Sequence, residues 1–159
     1  VTNDARFEDG KEAPLNLSAE DVEDLNILST LVQDAIFPAI EMRWHAKERR
    51  FALLLNRFRW EDRDAASRSS REFERVQAVL LIGDVMKISS QGVQKGEVDT
   101  ILSLLSLGFE GGEDGTGRLI LTLAGDGAIA IDVECINVTL KDVTRPYVAP
   151  SRKAPNHPD

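Results

Sequence analysis

One cysteine, two histidines and an aromatic share of 6% leave this 159-residue sequence short of the side chains that most often carry chemistry. Cys135 has no partner for a disulfide within the chain. It stands in an apolar run, where a thiol packs as a small hydrophobe. His45 falls in a hairpin and His157 in a proline-rich tail, so no metal-ligand spacing arises and a Cys135–His45 nucleophilic pair has little to support it. The glycine-rich GFEGGEDGTGR (108–118) lacks the Gly-Lys-Ser/Thr ending that places a cation on phosphates, and its acids would repel them, so it reads as a hairpin tip. No apolar run approaches the roughly 18 residues of a membrane span and no basic-then-apolar leader is visible. The expectation is a reducing, cytoplasmic setting with no cofactor, no metal, no catalytic set and no membrane association.

What is present is an ordinary globular composition, 42% apolar and 29% charged, sufficient for one domain with its own core. Residues 1–149 read as that domain, with a polar N-terminal arm over 1–13. Residues 150–159 read as a tail, because four prolines (146, 150, 155, 158) keep the end of the chain out of a central strand. The net charge of −8 disfavours nucleic acid and anionic membrane, but it is unevenly spread. Residues 1–42 carry 2 basic and 10 acidic groups, whereas residues 43–75 carry 10 and 6.

Ser18, with Asp21 three residues on, predicts a helix start, and Val22, Leu25, Leu28 and Val32 recur at helical spacing until Pro38 stops it; the expected helix is 18–36. Its acidic face (Glu20, Glu23, Asp24, Asp34) reads as solvated. From Met42 the period is two: Met42 and Trp44, a turn at Lys47 and Glu48, then Phe51, Leu53 and Leu55. Residues 61–72 read as a solvated loop and 76–82 as a strand, with a parity break at Gly83 and Asp84. Residues 100–109 fit both helical and strand spacing, and strand is the reading adopted. The segment LILTLAGDGAIAIDV predicts a hairpin pairing Leu121 with Ile131 across a Gly125–Asp126–Gly127 loop, with Gly127 left-handed. A second parity slip falls near Glu134 and Cys135.

The fold class that follows is α+β: an antiparallel, β-rich sheet or partly closed barrel of about seven to eight strands with one amphipathic helix, a pleckstrin-homology-like barrel being the alternative. Residues 42–88 and 105–140 look alike, which suggests two β-meander halves. Of the motifs, NRFRWEDR stands out, since Arg57, Arg59, Trp60 and Arg63 interleave cations with aromatics that bind phosphate or carboxylate and stack on bases. The structural reading sets Phe58 and Trp60 in the core, with Arg57 and Arg59 outward against the acidic helix. The acids Asp84, Asp126, Asp132, Glu134 and Asp142 are too scattered to name a catalytic pair.

The stretches FALLLNRFRWE, LSLLSLGFEGGEDG, LTLAGDGAIAIDVE and DVTRPYVAPSRKAP resemble a family of uncharacterised alphaproteobacterial proteins, a domain of unknown function, over nearly the whole chain. The resemblance implies no activity. The leading expectation is a non-enzymatic interaction domain, binding a protein partner or a second copy of itself through the basic segment 43–75. An RNA- or nucleotide-contacting protein and a carboxylate-based enzyme are the rivals.

Overall fold

The structure is a computed structural model and describes residues 14–62, 74–93 and 100–148. Its elements in chain order are β1 (Asn16–Ala19), α1 (Val22–Leu31), β2 (Ala35–Pro38), β3 (Arg43–His45), β4 (Arg50–Phe58), β5 (Glu74–Ile82), β6 (Val85–Gln91), β7 (Ile101–Gly111), β8 (Gly117–Leu123), β9 (Ala128–Val133), β10 (Val138–Asp142) and β11 (Tyr147–Val148). The β-rich expectation holds, with eleven strands among the described residues in place of seven or eight. They form one antiparallel sheet of order β1-β10-β5-β4-β2-β7-β8-β9-β6, with β3 added to β4 and β11 to β5. This path is open, ending at β1 and β6, and a pleckstrin-homology-like barrel is not what it describes.

The extra strands come from the two ends of the expected helix. Residues Asn16–Ala19 pair with β10 and bury Ala19 completely, so Ser18 is a strand residue. Asp21 is the N-cap, its carboxylate accepting from the Asp24 amide at 2.8 Å. At the other end Asp34 turns left-handed (φ +66°), a conformation that a short polar side chain tolerates. The chain then leaves the helix as Ala-Ile-Phe-Pro, with Ala35 and Phe37 buried and Ile36 outward, paired with both β4 and β7. Leu25 and Leu28 seat the helix, and its Ser29 hydroxyl accepts the Leu107 amide.

Residues 101–111 are a strand, and a register shift between Leu104 and Ser106 explains their helical look. The extra residue brings Leu104 and Leu107, three apart, to the same buried face. The β8–β9 hairpin pairs Leu121 with Ile129 and Leu119 with Ile131, two positions from the expected pairing with Ile131 and Val133. The left-handed residues are Gly125 (φ +79°) and Asp126 (φ +68°), not Gly127, so the turn centres one residue earlier. A shift of two preserves parity, which is why the expected inward set is still the buried one.

The two look-alike stretches occupy equivalent places. Hairpin β4–β5 receives β10, and hairpin β8–β9 receives β6, so each meander hands its last strand to the other. Both exchanges run through corners that touch: the Gly83 amide donates to the Asn137 carbonyl and the Glu134 amide to the Asp84 carbonyl. Counted from these corners, Phe51 opposite Ile82 matches Gly117 opposite Val133. Leu53 then matches Leu119, Leu55 matches Leu121, and Arg57 matches Leu123. The side chains of both hairpins' inner faces meet in one core with the helix, each fully buried Leu or Ile contributing about 1.5–3 kcal/mol.

Candidate functional site

Arg57 continues the inward phase of Phe51, Leu53 and Leu55 and is completely buried, contrary to the outward placement expected. Its Nε and Nη2 donate to Asp142 at 3.0 Å each, and its Nη1 and Nη2 reach Glu61 at 2.9 and 2.7 Å. Asp142 also accepts the Leu15 amide, which ties the start of β1 to the same cluster. Burial alone would lower the Arg57 pKa, but the two carboxylates outweigh it and the net shift is upward. For Glu61, burial would raise the pKa, and hydrogen bonds and charge from Arg57 turn the shift downward.

Arg59 is also buried, paired with Glu74 at 2.6 Å rather than with the helix. Phe58 lies fully buried on the opposite side of β4, with Trp60 tilted against it at 4.8 Å between ring centroids. The Trp60 indole donates to the Gln33 carbonyl at 2.8 Å. Arg63 lies outside the described residues. Of the four expected binding residues, two therefore spend their guanidiniums on carboxylates of their own chain. Together with Glu61 and Asp142 they lock the ends of β4, β10 and β1.

The exposed part of the basic segment lies at the other end of β4. Hairpin β3–β4 pairs Trp44 with Phe51 and presents Arg43, Lys47 and Arg50 to solvent. Between this hairpin and β6 opens an apolar cleft of about 180 Å³, lined by Met42, Trp44, Phe51, Ile88, Ser90 and Ile129. Trp44 is 41% exposed at its rim. Among the described residues, no strand pairs with the outer edge of either β3 or β6. Arg49 closes only the first residue of the β6 edge: its carbonyl accepts the Val85 amide, its Nε approaches the Val85 carbonyl at 3.4 Å, and its guanidinium pairs with Glu134.

The two exchanged strands are unlike in this respect. The outer edge of β10 is covered by β1, whose Leu17 lies opposite Leu140. The equivalent edge of β6 borders the cleft, with Ile88 in the place of Leu140 and Ser90 in the place of Asp142. Sequence reasoning missed this cleft because Met42 and Ile129 are far apart in the chain, though the alternation did set Trp44 and Phe51 on one face.

The remaining candidates do not converge. Cys135 is exposed at the β9–β10 corner rather than buried in a strand, because the parity slip is the corner itself. Its thiol lies 3.4 Å from an Asp84 carboxylate oxygen. Desolvation and the Asp84 and Glu134 charges push its pKa up, the wrong direction for a nucleophile. Asp132 pairs with Arg118, and Asp126 sits in the turn. Among the described residues no group of three His, Cys, Asp or Glu side chains could hold a metal ion. Nor is any described helix long and apolar enough to cross a membrane.

Residues 15–157 match the profile of a protein family of unknown function, DUF2948. The chain belongs to this family. No curated protein and no solved structure matches it.

Proposed function

We propose that this DUF2948 member is a cytoplasmic interaction module that takes an extended, acidic segment of a partner protein along the free edge of β6. The observation that carries this reading is the inequality of the two exchanged strands: β10 has β1 along its outer edge, while β6 has a cleft. A strand laid there would add main-chain hydrogen bonds, as in β-augmentation, and would point one side chain between Ile88, Ile129 and Trp44. A closed apolar cavity of about 150 Å³ accommodates benzene, so the 180 Å³ cleft suits one leucine- or phenylalanine-sized anchor. Arg43, Lys47 and Arg50 on one side and Lys87 on the other supply the charge that favours acidic flanks. Arg57 and Arg59, on which a nucleotide-contacting surface would have drawn, are spent inside the domain.

The test uses the full chain with acidic octapeptides bearing one central Leu or Phe. Binding read by Trp44 fluorescence should fall at least tenfold when the anchor becomes Ala, and should weaken with salt. Amide exchange should slow along residues 88–91. Ser90→Arg, which fills the cleft, should abolish binding without unfolding the domain. Peptides that bind equally with and without the anchor, or that leave residues 88–91 unprotected, overturn the reading.

A further inference from the structure

The outer face of the first hairpin carries a second cavity, of about 300 Å³, whose walls include Ile36, Pro38, Leu54 and Ile101. Ile101 is 57% exposed and Ile36 37%, so these apolar walls are open to solvent. Its polar end is set by Asn56 and Gln77, which face each other across β4 and β5. One step further along the same strands stands Arg75, with Tyr147 of β11 opposite it.

Arg75 is the unusual member of this group. Its Nη1 donates to the Asn56 carbonyl at 3.1 Å and to the Asn56 side-chain oxygen at 3.4 Å, and its guanidinium lies 6.0 Å from the Phe58 ring centroid. Among the described residues no carboxylate stands within ion-pair distance of it, in contrast to Arg57, Arg59 and Arg118. A guanidinium has five N–H donors in a planar fork. Here the Nε and Nη2 edge has no acceptor among the described residues, although the group is half-buried. Burial pulls the Arg75 pKa below its ordinary value, and the Tyr147 and Asp34 charges offset this only in part. Beside it, the Tyr147 hydroxyl accepts from the Asn56 amide at 2.6 Å, which leaves its own proton free to donate. A partly desolvated cation and a hydroxyl donor, both hydrogen-bonded to Asn56, thus stand just beyond the Asn56–Gln77 end of this cavity.

We propose that this trough binds a small amphipathic carboxylate, its two oxygens on the Nε and Nη2 edge of Arg75, assisted by the Tyr147 hydroxyl, and its hydrocarbon body along Leu54, Ile36, Pro38 and Ile101. The Arg75 edge matches a carboxylate bidentately. A monoanion fits better than a phosphate dianion, because among the described residues one cation, Arg75, serves the site while Asp34 acts on it and Glu41 lines the far end. The register fixes this direction: Ile36 lies opposite Asn56, and β2 runs from there through Pro38 toward Glu41, away from Arg75. The site is separate from the β6 cleft and does not depend on the peptide reading.

The test titrates the intact, isotope-labelled protein with propionate, pentanoate and heptanoate, and with heptyl phosphate, by NMR. The expected result is a shift of the Arg75 Nε–H and of the Asn56, Gln77 and Tyr147 amides, with affinity rising about fourfold per added methylene until the trough is filled. Arg75→Gln should weaken heptanoate at least tenfold, and Tyr147→Phe should weaken it less. Ile101→Ser should flatten the chain-length dependence while preserving the Arg75 shift. If Arg75→Gln does not fold, the Tyr147 and Ile101 variants, both at exposed positions, carry the test. Affinity that ignores chain length, survives the loss of Arg75, or is higher for heptyl phosphate than for heptanoate overturns the proposal.

Discussion

Arg57 in the first hairpin and Leu123 in the second hold equivalent positions, two residues beyond Leu55 and Leu121, and both are buried. The first half fills that layer with an ion pair to Asp142; the second half fills it with hydrocarbon and has Ser90 where Asp142 would be. This difference separates two ways of closing a sheet end. In the first, the Arg57 cluster gathers β4, β10, the Leu15 amide at the start of β1, and Glu61 into a knot with every donor paired. In the second, nothing comparable among the described residues draws a strand over β6, and the cleft remains. The half that is covalently provided with a covering strand is thus the half that buries charge to hold it.

The strongest way to break the comparison is to remove the cation. Arg57→Met strands Asp142 and Glu61 without their partner, and loss of one member of a buried pair costs about 3–5 kcal/mol. Urea denaturation should show this loss, and should show much of it recovered when Asp142→Leu is added, since apolar replacement of both partners of a buried pair is often neutral. Leu123→Ala, at the equivalent place, should cost about 2–5 kcal/mol through its cavity, with no rescue from Ser90→Leu. A single Arg57→Met that melts like the native chain would show the knot to be ornamental.

Next in size is the turn that makes the second half compact. Gly125→Val places a β-branched residue at φ +79°, a region that costs L-residues about 1–2 kcal/mol. Nothing else obstructs the side chain, because a Cβ there meets no heavy atom within 4 Å. Gly127→Ala is the control: its Cβ would find ordinary contacts at 3.4 and 3.5 Å, and its stability should stay within about 0.5 kcal/mol of native. Equal losses at the two glycines would restore the register expected from sequence.

That register shows how far the sequence could be read. Alternation of Leu119, Leu121 and Leu123 with Ile129 and Ile131 established which side chains face inward, because parity is local. It did not establish the partner, because Asp126, with its short polar side chain, tolerates the left-handed conformation that the pattern assigned to the glycine next to it. The same limit hid Arg57. Its place in the inward phase follows from Phe51, Leu53 and Leu55, but a charge in that phase needs a buried partner, and Asp142, which supplies it across β5, is 85 residues away in the chain. For the candidate sites, the basic character of residues 43–50 was visible, whereas the empty edge of β6 is a property of strand exchange and has no local signature. Arg75 stands in the basic block without any mark that, half-buried, it has no carboxylate within ion-pair distance among the described residues.

The smallest effect concerns acid, and it too divides the halves. Glu61 in the first half and Asp132 in the second both have folded-state pKa values below their ordinary 4.5 and 3.8. A depressed carboxylate contributes stability that is present above its unfolded value and is lost as pH falls through the folded one. For Glu61 the loss therefore begins near pH 4.5 and continues below it. Its side chain is 29% exposed and shares Arg57 with a buried Asp142. Asp132 lies on the surface beside Arg118, and exposed pairs of this kind contribute only about 0–1 kcal/mol. Melting curves between pH 6 and pH 3 should thus flatten more in Glu61→Gln than in Asp132→Asn, even though Glu61→Gln begins from a lower stability at pH 6. If Asp132→Asn flattens the acid limb as much as Glu61→Gln does, the Arg57 knot is not what makes the first half sensitive to acid, and the contrast between buried charge and hydrocarbon in the two hairpins loses its energetic meaning.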